Sequence, residues 1–139
     1  MSRVIGALLI LLFLSSASLA DGPIVIANKN VSQDSLTAKT LRNIFLGKER
    51  TWKEGGFIFP AALEGGPVHQ KFLDLYLQKT PAQFSTHWRR IAFTGGSLKI
   101  NLFKTERQLV DYVAQQEGAI GYIGAETPTV NVKQITIAP

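Results

Sequence analysis

Two groups of residues in this sequence have the types and spacing to hold a small charged ligand. The first is Asn28-Lys29, at the end of an apolar triplet, together with Gly65, Gly66 and His69. Gly65-Gly66 stand just before Pro67, a residue suited to the first position of a helix. Free backbone N–H groups at such a start face an anion, helped by the helix dipole, and Lys71 lies near the same end. Asn28 and Lys29 are expected to line that same edge, because ligands of open α/β sheets bind beyond the carboxyl ends of the strands. The second group is Arg89 with Thr94, Gly95 and Ser97. An arginine fork suits bidentate contact with phosphate or carboxylate, and the Thr94-Gly95-Gly96-Ser97 loop adds two hydroxyls on permissive backbone. Both groups have the chemistry to bind a small oxyanion; the alternative reading is that the loops are simple turns and the arginine lies on a solvated helix face.

Other chemistries find less support. His69 and His87 are the two histidines, neither lies in a metal-ligand spacing such as H-E-x-x-H, and cysteine is absent. Both histidines are therefore expected to be partly exposed polar residues of helices. No G-x-S-x-G elbow supports a serine nucleophile, and none of Glu54, Glu64 and Asp111 is set apart for acid/base work. Gly118-Ala-Ile-Gly121-Tyr-Ile-Gly124 superficially suggests a nucleotide loop, but it follows a helical stretch and contains a strand, the reverse of the required order. Gly118 instead reads as a helix stop, and Gly121 as a point of close packing in a sheet. No enzyme activity, metal or cofactor is expected.

The elements that must position these residues alternate along the chain. Ile24-Val25-Ile26 reads as a buried strand. Thr37 caps a helix with apolar positions Leu41, Ile44 and Phe45, which Gly47 stops. A turn around Trp52 leads to a strand from Phe57 to about Leu63, and then to a helix with the stripe Val68, Phe72, Leu75 and Tyr76. Thr80-Pro81 opens a helix carrying Phe84, Trp88, Ile91 and Ala92. Thr105 with Gln108 opens another carrying Leu109, Val110 and Val113. Ala119–Ile123 and Val132–Ile137 read as strands. The expectation is one α/β domain, a small mixed sheet flanked by helices.

The 139 residues hold 15 Lys+Arg against 10 Asp+Glu, a net charge of +5, which favours an anionic partner. Residues 1–20 have the form of a cleavable signal peptide: Arg3, the apolar run Val4–Leu14, and Ser18-Leu19-Ala20 before the cleavage point. The run is too short to span a bilayer. Cleavage after Ala20 would leave a domain of 119 residues, 21–139, and with Arg3 gone a charge of +4. Without cysteine no lipid anchor is expected. The expected location is the periplasm, where nucleic acid is not a normal partner.

Three stretches together resemble the phosphate ABC transporter substrate-binding proteins. They are Leu36-Thr37-Ala38-Lys39-Thr40-Leu41-Arg42-Asn43-Ile44-Phe45-Leu46-Gly47-Lys48 with Trp52, His87-Trp88 through Ile91-Ala92-Phe93-Thr94-Gly95, and Gly118-Ala119-Ile120-Gly121-Tyr122. The resemblance implies a single lobe of the type 2 periplasmic-binding-protein fold and capture of an oxyanion for delivery to a membrane permease. Where larger members carry an arginine and then Ser-Gly-Thr, this chain has Leu63-Glu64-Gly65-Gly66-Pro67. That difference supports a second reading, an adaptor for a sensor kinase or envelope complex that uses the fold without a small ligand. A homodimer would complete a half-open cleft in either case.

Overall fold

The computed structural model describes residues 22–139, and the expected signal peptide, residues 1–20, lies outside the described residues. The strands are β1 (Ile24–Asn28), β2 (Ser35–Thr37), β3 (Phe59–Leu63), β4 (Asn101–Phe103), β5 (Ala119–Ile123) and β6 (Val132–Ala138). The helices are α1 (Ala38–Phe45), α2 (Pro67–Phe72), α3 (Pro81–Phe93) and α4 (Glu106–Gln115). One six-stranded sheet results, in the order β2-β6-β1-β5-β3-β4.

Its strands run in one direction except β1, which lies antiparallel to both neighbours, β5 and β6. Ala27 pairs with Ile120 near the start of β5, so the carboxyl end of β1 lies at the amino end of the others. That reversal overturns the expectation that Asn28 and Lys29 share an edge with Gly65 and His69. The two pairs sit at opposite ends of the sheet.

Helices cover both faces. On one, Gly121 of β5 meets α4, where an added Cβ would stand 2.6 Å from Leu109 Cδ2, 3.3 Å from Val113 Cγ2 and 3.3 Å from the Ala61 carbonyl. On the other, the Tyr122 ring stacks on Phe72 of α2 at 3.8 Å and 8°, and Phe45 of α1 packs against both. Side chains alternate along a strand, so neighbouring residues of β5 serve the two halves of one core.

The caps follow the sequence. Thr37, Thr80 and Thr105 each accept a backbone N–H three residues on, and Thr80 with Gln83 forms the full reciprocal box. Gly47 and Gly118 take the left-handed backbone that ends a helix. Two departures come from tertiary structure. The second strand begins at Phe59 rather than Phe57, whose backbone forms an isolated bridge with Thr51 while its side chain is exposed. After α2, Leu73–Leu77 form a π turn, so Leu73 and Leu77 become buried and Leu75 of the expected stripe faces out. Ala92 of the α3 stripe is likewise exposed.

α3 is fastened by its His87-Trp88 pair. Trp88 Nε1 donates to the Phe45 carbonyl at 3.0 Å, and His87 Nε2 to the Leu46 carbonyl at 2.8 Å. These carbonyls belong to the end of α1, where acceptors lack partners within the helix. Arg42 Nε closes the π turn in the same way on the Tyr76 carbonyl, 3.0 Å away.

The close approach at Gly121 gives a direct test. Gly121→Ala forces a methyl group against Leu109, Val113 and the β3 backbone, so denaturant unfolding is expected to show a loss of about 1–3 kcal/mol. A variant as stable as the parent would contradict this packing.

Candidate functional site

His69 and Arg89, from different groups in the sequence, line one cavity of about 310 Å³. It lies between α2 and α3, beside the carboxyl end of β3 and the edge strand β4. Leu63 and Glu64 come from the β3 end, and Ile100 and Leu102 from β4 and the residue before it. Pro81, Phe84, Ser85, Trp88 and Arg89 come from α3. The α3 set follows the spacing i, i+3, i+4, i+7, i+8, one helical face. Phe84 and Trp88 form the buried part of that face, and Ser85 and Arg89 the exposed part. Arg89 Nη2 donates to Ser85 Oγ at 3.2 Å. Glu64 is exposed, with its backbone N–H bonded to the Phe103 carbonyl at 2.9 Å.

His69 is not the partly exposed helical residue expected from sequence: only 2% of it is accessible. Its Nδ1 is hydrogen-bonded to the Tyr122 hydroxyl, which also accepts the Leu63 backbone N–H at 3.0 Å. Burial raises the Tyr122 pKa far above the ordinary phenol value, with the Leu63 N–H opposing in part, so the hydroxyl keeps its proton. Among the described residues, the acceptor within reach of that proton is His69 Nδ1, which assigns the direction of the bond. Nδ1 is therefore unprotonated and Nε2 carries the ring proton. Burial also lowers the His69 pKa from 6.5, which keeps the ring neutral. Nε2–H has no hydrogen-bond partner among the described residues, and the ring lines the cavity.

The other expected site residues are placed differently. Gly65 and Gly66 form the exposed turn after Glu64, and Gly66 is the α2 N-cap at φ 95°. Asn28 donates its amide to the Val113 and Ala114 carbonyls at 2.9 and 3.2 Å, and its Oδ1 accepts from the Asn30 N–H. Asn28 thus fastens β1 to the end of α4, and Lys29 is exposed beside it. Thr94 Oγ1 donates to the Ile91 carbonyl at 2.6 Å, and Gly95 takes φ 78°, which together end α3. A helix end presents carbonyl oxygens and the negative dipole pole, so Thr94-Gly95 does not extend the Arg89 group toward an anion. Ser97 lies in a different cavity of about 530 Å³, with Arg50, Lys99, Asn101 and Tyr112, at the amino ends of β3 and β4. There Asn101 Nδ2 donates to the Tyr112 hydroxyl at 3.0 Å, and Arg50 Nε to the Gly47 carbonyl at 3.5 Å.

Sequence reasoning missed Ser85 and the walls Ile100 and Leu102. The α3 periodicity pointed to Ser85, whereas nothing local marked the short strand β4. It also missed Glu106, whose carboxylate accepts the Gly124 N–H at 2.5 Å and the Thr127 hydroxyl at 2.9 Å. This internal anion takes the donors where β5 leaves the sheet beside the start of α4. The α2–α3 cavity keeps its donor open.

No protein-family model matches the chain, and no curated protein matches it. Solved structures do. A phosphate ABC transporter substrate-binding protein from Clostridium perfringens, with bound phosphate, matches with a TM-score of 0.65 and 22% identity over 84% of this chain and 45% of its own. PstS from Borrelia burgdorferi matches with 0.65 and 19% over 84% and 47%. A phosphate-binding protein from Stenotrophomonas maltophilia matches with 0.63 and 15% over 84% and 39%. The chain has the fold of this class of substrate-binding receptor, as the sequence resemblance implied. It spans less than half the length of each of these three structures. No described helix is long and apolar enough to cross a membrane.

Two outcomes test the His69 network. Tyr122→Phe leaves the buried Leu63 N–H without its acceptor and is expected to lose about 1–3 kcal/mol in denaturant unfolding. Because the His69 pKa is depressed in the fold, its contribution is complete above 6.5 and is lost as pH falls from there through the folded value. Thermal melts should therefore show a fall in stability below pH 6.5 that is smaller in His69→Gln. Equal slopes in both proteins would contradict a buried neutral His69.

Proposed function

We propose that this chain is an exported solute-binding domain that captures a small oxyanion, phosphate among the candidates, for an ABC-type membrane permease. The observation that carries the proposal is the meeting of Arg89 with the buried ring of His69, whose Nε2 has no hydrogen-bond partner among the described residues, in one cavity. A guanidinium and a neutral N–H donor fixed by a second hydrogen bond suit a carboxylate or phosphate head. The likeness in fold to receptors named for phosphate binding supports the same class of ligand. The apolar run and Ala20 of the first 20 residues support export. The positive charge of the remaining domain supports attraction of an anion.

Calorimetry with phosphate, sulfate and small carboxylates tests the proposal on the protein cleaved after Ala20. Saturable heat and a raised melting temperature are expected, since a ligand that binds the native state stabilises it. Arg89→Ala is expected to weaken binding by about 1.5–3 kcal/mol, the range for a charged hydrogen bond. Absence of heat and of any thermal shift at millimolar ligand would contradict the proposal, and an unchanged Kd would remove Arg89 from the site.

A further inference from the structure

The α2–α3 cavity contains more than an anion receptor needs. Glu64 lines it as well, an exposed carboxylate on a backbone held by the Phe103 carbonyl. No ion pair joins Glu64 to Arg89 among the described residues, and Arg89 bonds Ser85 instead. One cation, one anion and the ring of one buried neutral histidine thus line the same space without an ion pair between the two charges. Beyond these and Ser85 the lining is apolar: Leu63, Pro81, Phe84, Trp88, Ile100 and Leu102. Leu102 is half exposed, a large apolar side chain left at the cavity mouth.

A bare inorganic oxyanion uses this lining poorly. It would bring negative charge toward Glu64 and leave the aromatic and aliphatic walls without a partner. The volume of about 310 Å³ also falls within the range of sites that enclose small organic ligands, which are mostly apolar with a few placed polar groups. We infer that the cavity takes a small organic zwitterion, an α-amino acid with an apolar side chain. Its carboxylate meets Arg89 and His69 Nε2–H, its ammonium meets Glu64, and its side chain lies on Trp88, Ile100 and Leu102. The buried His69 gives the geometry its direction, because its ring lines the cavity and its Nε2 has no acceptor among the described residues. The inference rests on the solute-binding reading above and narrows its oxyanion to the carboxylate of such a molecule.

The test is a calorimetric panel on the protein cleaved after Ala20: L-leucine, glycine, 4-methylpentanoate, 3-methylbutylamine and inorganic phosphate. Leucine is expected to bind tightest. Removing its ammonium, as in 4-methylpentanoate, or its carboxylate, as in 3-methylbutylamine, should weaken binding roughly tenfold or more. Glycine, which lacks the side chain, should also bind more weakly. In Glu64→Gln, checked for native fold by circular dichroism, the preference for leucine over 4-methylpentanoate should disappear. Phosphate or 4-methylpentanoate binding as well as leucine would overturn the inference while leaving the oxyanion reading intact. A leucine preference unchanged in Glu64→Gln would also overturn it. If no member of the panel binds, both readings fail.

Discussion

The Tyr122 hydroxyl is the contact on which the rest of this structure depends. It sits at the end of a fully buried strand, accepts the last backbone N–H of β3 and gives its own proton to His69. One oxygen thereby fixes where β3 ends, where α2 begins and which nitrogen of His69 carries hydrogen. The ring below it stacks on Phe72 and meets Phe45 at a tilt in a single aromatic cluster, so the same residue sets the separation of α1 and α2 from the sheet. In a buried setting each of these polar groups needs its partner, because an unpaired donor costs as much as several good contacts contribute.

The candidate site follows from that arrangement together with the fastening of α3. His87 and Trp88 hold α3 on the last carbonyls of α1, and this turns the Ser85–Arg89 side of the helix toward the cavity. The motif that carries part of the resemblance to transport receptors is thus structural at His87 and Trp88, and its neighbours present the charged group. At the far side of the carboxyl edge Glu106 supplies an internal anion to Gly124 and Thr127. The donors left for an external ligand are those near β3 and the edge strand β4.

Much of this was legible in the sequence where short-range rules govern. Threonine caps, glycine stops, the apolar spacing of α1 and α4 and the Phe84–Trp88 part of the α3 stripe depend on neighbours within a few residues, and the structure agrees with them. The wrong placement of Asn28 has a different origin. Strand direction is decided by pairing across about a hundred residues, and the triplet Ile24-Val25-Ile26 reads the same in either direction. β2 and β4 escaped for a related reason, since three-residue strands have too little pattern of their own and exist through partners in β6 and β3. The π turn after Phe72 moved the buried stripe by adding a residue to one turn, which no fixed period anticipates. His69 looked like a surface residue because its partner, Tyr122, lies 53 positions away. Its role became visible only when the sheet brought the two together.

Tyr122 holds His69 as a neutral ring with its proton on Nε2, and the ring lines the cavity. Long-range proton–nitrogen correlation of the imidazole rings above neutral pH measures this directly, with Tyr122→Phe identifying the His69 signals. A bare Nδ1 and a protonated Nε2, whose resonance moves when ligand is added, are expected. A proton on Nδ1 with Nε2 bare, or a charged ring at that pH, would contradict this assignment.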